Sequence, residues 1–101
     1  MAEQALEQLQ TWFAKQCNGE WEHEHCVSVQ STDNPGWWVK INLSGTPIES
    51  KPFREVKRGD VSMDPQPPWL HCYLEGHIFN GAGDVTTLGE ILGIFLEWAG
   101  E

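Results

Sequence analysis

The chain has 101 residues, 40% of them hydrophobic, with 15 acids against 6 bases for a formal net charge of −9. That length allows one domain, taken as residues 1–101, and that apolar content excludes a wholly disordered chain. The charge speaks against direct binding to nucleic acid, because a surface this negative repels phosphate backbones.

The N-terminal stretch reads as a helix over 3–17. Leu6, Leu9, Phe13 and Cys17 recur at helical spacing, Ala2, Ala5 and Trp12 widen the stripe, and Asn18-Gly19 supplies the stop. It has neither the basic region nor the apolar run of a secretion signal, and no stretch approaches the ~20 apolar residues of a membrane span. A cytoplasmic protein with reduced thiols is expected. Cys17, Cys26 and Cys72 form no CxxC pair, although sequence alone does not exclude a disulfide.

"WEHEHC" (21–26) concentrates histidines, acids and a thiol. If 23–29 run extended, His23 and His25 share a side with Val27 and Val29 while Cys26 points away, so strand alternation scatters the ligands. A zinc site from His23 and His25 would need a third ligand such as His71, and no HExxH supports one. Cys26 beside His25 is a neighbour in sequence, which is not a catalytic dyad. The stretch is read as the acidic lead-in to a strand, with no cofactor or metal expected.

Residues 25–31 and 37–43 alternate, with "DNPGW" between them. Val27, Val29, Val39, Ile41 and Leu43 are all odd-numbered, so a hairpin that puts them on one face needs a loop of odd length. A three-residue loop, Asn34 to Gly36, would pair Asp33 with Trp37, Val29 with Ile41 and Val27 with Leu43. Further on, a short strand is expected near 52–57. The proline-rich "DVSMDPQPPW" reads as a loop. Residues 69–75 alternate again, and "GHIFNGAGD" turns or adds a short strand. "GAG" at 81–83 lacks the lysine and framing of a phosphate loop.

A second helix is expected over 87–99, with Thr86 or Thr87 capping it and Glu90 completing a capping box. Leu88, Ile91, Leu92, Phe95, Trp98 and Ala99 make its buried stripe. The fold class is therefore α+β: an antiparallel sheet of about four strands with the N-terminal and C-terminal helices packed on one face. Trp38, Trp69 and Tyr73 then fall on the other face, where large rings in a polar setting suit an interface. Their alternative fate is to be covered by the 44–68 segment.

Five stretches together carry a resemblance: "WF..QCNGEWEH" (12–23), "DNPGWWVKINLSGT" (33–46), "KPF" (51–53), "WLHCYLEGHIFNGAG" (69–83) and "L.EIL.IFLEW" (88–98). The combination resembles the family-53 immunity proteins of bacterial polymorphic toxin systems. The resemblance implies a cytoplasmic, non-enzymatic α+β inhibitor that binds a cognate toxin. From the residues themselves, Glu20, Glu22, Glu24 and Asp33 are expected to meet a basic toxin surface, with Trp38, Trp69 and Tyr73 as anchors. A monomer or weak homodimer is expected. The alternative is a small metal- or ligand-binding protein, possibly a hydrolase, using His23, His25 and His71.

Overall fold

A computed structural model describes residues 2–33, 35–59 and 68–100. Helix α1 (Ala2–Gln16) is followed by a single helical turn, α2 (Trp21–Glu24). Strands β1 (Val27–Thr32), β2 (Gly36–Asn42), β3 (Val56–Arg58), β4 (Leu70–Glu75) and β5 (Ile78–Gly83) come next, and α3 (Leu88–Ala99) ends the chain. The five strands form one antiparallel sheet in the order β1-β2-β5-β4-β3.

The α+β class and the helix at each end agree with the sequence, but the sheet has five strands where about four were expected. The additional strand is β5, the "GHIFNGAGD" stretch. Its glycines argue for a turn, yet it is the central strand, because α3 lies directly on it. A β-carbon on Gly81 would stand 2.3 Å from Ile91 Cγ2, and one on Gly83 would stand 2.1 Å from Thr87 Oγ1. Close approach of a helix selects glycine here against strand propensity.

The hairpin keeps the expected parity with a shifted register. Val29 pairs with Val39 and Val27 with Ile41, and Thr32 opposite Gly36 leaves positions 33–35 as the connection. Gly36 is a ladder residue and not the last loop residue that the sequence suggested. It has no positive φ, and a β-carbon there would meet the Gly83 carbonyl at 2.3 Å. Asn34, and the 60–67 part of the expected proline-rich loop, lie outside the described residues.

The core lies between the sheet and the helices. Val39, Ile41, Leu70, Cys72 and Phe79 point up from the sheet to meet Ile91, Leu92, Phe95 and Leu96 of α3. α1 packs chiefly against α3, where Trp12 stands edge-on to Phe95 at 5.0 Å. The buried stripe of α1 is Ala5, Leu9 and Trp12, while Leu6, expected inside, is 49% exposed. The 44–55 segment closes one side of the core between the sheet and α3: Ile48 is buried, and Phe53 packs edge-on against both Phe79 and Trp98. Ile48 and Phe53 thus place this part of 44–68 on the helix side of the sheet, while Val56–Arg58 joins the sheet itself as β3.

The expected capping box at α3 does not form. Thr87 is the N-cap residue without a side-chain cap bond, and its hydroxyl donates to the Asp84 carbonyl at 2.9 Å. Asp84 organises the turn instead. Its carboxylate accepts from the Thr86 amide (2.7 Å) and hydroxyl (2.6 Å) and from the Trp69 amide (3.1 Å). These bonds, led by the Thr86 hydroxyl, hold its carboxyl below the usual carboxylate range. α3 ends at Gly100, whose φ of 86° supplies the left-handed stop.

Candidate functional site: an open sheet face beside an acidic turn

"WEHEHC" is not extended along its length, and this corrects the strand lead-in read from sequence. Trp21–Glu24 form α2, and β1 begins only at Val27. The cause is local. Asn18 Oδ1 accepts from the amides of Glu20 and Trp21, both at 2.9 Å, and the Glu22 carboxylate accepts from those of Asn18 (3.0 Å) and Gly19 (2.9 Å). This reciprocal exchange caps the turn as a capping box does. Backbone N–H groups, its own first and then those of Asn18 and Gly19, hold the Glu22 carboxyl below its usual range, with His23 adding to them. Trp21 is buried beneath the turn, edge-on to Trp12 and Phe13, and its indole N–H donates to the Ser44 carbonyl at 2.7 Å.

The histidines stay apart. His23 is exposed on α2, and the His25 ring lies 5.7 Å from that of Trp21 with its Nδ1 unpartnered among the described residues. His71 sits across the sheet on β4, hydrogen-bonded to the Glu55 carboxylate and packed on the Tyr73 ring at 4.7 Å. Among the described residues no three His, Cys, Asp or Glu side chains gather as a metal would require. The alternative built on His23, His25 and His71 is therefore not supported by the geometry. The three thiols are free. Burial pushes the Cys72 thiol up to about 12, and burial, with Glu22 second, also raises that of Cys17.

The second face of the sheet carries the expected rings. Its register places Gln30, Trp38, Ala82, His71 and Lys57 in one row, and Ser28, Lys40, Asn80 and Tyr73 in the next. Trp38 is 36% exposed, with the Lys40 ammonium 4.2 Å from its ring centroid. Its indole N–H donates to Asn80 Oδ1 at 3.2 Å, and Asn80, only 4% exposed, forms the floor between Trp38 and Tyr73. Tyr73 and Trp69 are half-buried, Trp69 just before β4 and tied to Asp84. No described element crosses this face.

The acids do not form one cluster. Glu20, Glu22 and Glu24 cluster on and beside α2 before β1, whereas Asp33 follows β1 at the hairpin turn. Six strand residues separate the two groups, about 20 Å at the usual rise. Glu20, Glu24 and Asp33 are exposed, while Glu22 is half-buried and engaged in its turn. On the open face the charges are mixed: Lys40 and Lys57 stand with Glu55 and Glu75. Sequence reasoning missed Asn80 and Lys40 as partners of Trp38, although both lie on the polar side of their strands' alternation.

Among the described residues, these build a broad antiparallel sheet with one face open and carrying aromatic rings, and with acidic residues at the two ends of β1. The chain belongs to the immunity protein 53 family, whose model matches residues 6–100. No curated protein and no solved structure matches it. Membership supports an immunity role with a toxin as partner in general, and favours a binding protein over an enzyme.

Proposed function

We propose that this protein binds a cognate toxin in the cytoplasm and blocks its working surface sterically. The observation that carries the reading, beyond family membership, is the sheet face that no described element crosses, with Trp38 exposed on β2. Trp38, Tyr73 and Trp69 anchor the contact, because rigid rings add much apolar area at little entropic cost. Glu20, Glu24 and Asp33, with Glu22 adding its charge, steer a basic toxin surface toward it, in keeping with the net charge of −9. The protein acts as a monomer or weak homodimer.

Mixing the purified chain with the toxin domain encoded beside its gene tests this. A complex and loss of toxin activity are expected, with Trp38→Ala weakening binding at least tenfold. Absence of both complex and protection removes the reading. Undiminished binding by Trp38→Ala, Trp69→Ala and Tyr73→Ala alike removes the open face as the contact.

A further inference from the structure

We infer that β1 is the edge onto which an extended, basic-flanked segment of the toxin adds as a sixth strand. The inference rests on the immunity role proposed above and adds a contact at the sheet edge to the one proposed for the open face. β1 is terminal in the sheet order, and no described strand pairs with its outer side. The Asn42 amide donates to the Cys26 carbonyl at 3.1 Å, which marks 26 and 42 as a hydrogen-bonded pair. Antiparallel alternation then makes Ser28–Lys40, Gln30–Trp38 and Thr32–Gly36 the other bonded pairs. The N–H and C=O groups of Val27, Val29 and Ser31 are turned outward as a consequence.

The two edges of the sheet differ. β3 is three residues long and carries Lys57 and Arg58, as an edge guarded against pairing does. β1, "VSVQST", is six residues long and has no charge and no proline. Beside it, on the helix side, lies an apolar groove of about 240 Å³ lined by Leu9, Gln10, Phe13 and Val27. Leu6, one helical turn before the groove, is 49% exposed, and Val29, the next inward residue of β1, is 45% exposed. α1 therefore leaves the sheet margin uncovered where the alternate side chains of an added strand would fall. An extended peptide gains its affinity from such an edge and its specificity from pockets for alternate residues.

Charge decides the occupant. The outer edge is bracketed by Glu22 and Glu24 before β1 and by Asp33 after it. A second copy pairing antiparallel about a two-fold axis would bring the Glu24 end of one β1 beside Asp33 of the other. Like charges would meet at both ends, on molecules of net charge −9 each. A partner strand with Lys or Arg at its ends meets opposite charges instead.

The test uses amide exchange and two variants, with the toxin domain encoded beside the gene as probe. In the free protein the amides of Val27, Val29 and Ser31 exchange quickly; in the complex they slow at least tenfold. Val29→Pro removes an outward N–H that the β1–β2 ladder does not use, so the domain still folds while toxin affinity falls at least tenfold. Val29→Lys, at an exposed position, gives the same loss should the proline variant misfold. Reversing Glu24 and Asp33 to lysine slows association and flattens its salt dependence. Unprotected amides in a formed complex, with Val29→Lys binding as wild type, overturn the edge and leave the immunity role standing. No complex with the unaltered chain overturns both. A dimer of the chain alone that Val29→Lys abolishes overturns the choice of occupant.

Discussion

Replacing Gly81 with alanine would put a methyl carbon where α3 already stands. Gly81 lies at mid-sheet between Val39 and Cys72, and its added carbon would be 2.3 Å from Ile91 Cγ2, 3.3 Å from Phe79 Cε2 and 3.6 Å from Cys72 Sγ. Carbon atoms pack best at about 3.5–4.0 Å, so the Ile91 contact is short by more than about an ångström. Ile91 cannot swing aside cheaply, because a β-branched residue in a helix is held to one χ1 rotamer. Overpacking of this kind costs about 1–3 kcal/mol, and the stiffer unfolded chain returns about 0.4–1 kcal/mol. A net loss of about 1–2 kcal/mol lowers the midpoint by roughly 4–16 °C in a domain of this size. Ile91→Leu removes the offending Cγ2 and alone costs under about 1.5 kcal/mol. The double variant should recover about 1 kcal/mol relative to the summed singles, read from urea unfolding of all four proteins. A Gly81→Ala protein as stable as wild type, or strict additivity in the cycle, would refute the claim that glycine in β5 is there to admit α3.

Other outcomes follow from the same geometry. Trp12→Ala should cost about 3–5 kcal/mol, since the ring is 3% exposed and edge-on to Phe95 and Trp21; a urea midpoint near wild type would contradict that packing. Iodoacetamide at neutral pH should label exposed Cys26 first and leave Cys72 unmodified until unfolding, because burial keeps that thiol protonated; peptide mapping reads the order. Asp84, with its folded carboxyl below the usual range, contributes stability that is full above about pH 4 and lost as pH falls through the folded value. The advantage of wild type over Asp84→Asn should therefore be greatest near neutrality and shrink below about pH 4; a gap that widens in acid would reverse the assignment.

Periodicity made much of this fold legible. Both long helices and the parity of the hairpin follow from where apolar residues recur in "EQALEQLQTWF", "LGEILGIFLEWA", "CVSV" and "WVKINL". What alternation could not show was any feature set by a distant neighbour. The sequence leaves β5 open between a turn and a short strand because its glycines answer to α3, and it hides the register of β1 on β2 because Gly36 answers to Gly83. The helical turn at 21–24 was hidden because it rests on a side-chain exchange between Asn18 and Glu22 that no apolar period announces. In the candidate site, the rings were assignable from strand parity, since Trp38, His71 and Tyr73 share a face. The separation of the acids to opposite ends of β1 needed the strand's true bounds.

The tryptophans have a consequence for where this domain can persist. Trp21 donates to the Ser44 carbonyl, Trp37 to that of Val85 and Trp98 to that of Pro52, each reaching a backbone more than twenty residues away. Small domains commonly fasten their irregular segments with sulfur bridges, whereas here indole rings anchor three of them and every thiol stays single. Hydrogen bonds of this sort are blind to thiol–disulfide exchange, so the domain should keep its shape in reducing surroundings that would undo a cystine-laced scaffold.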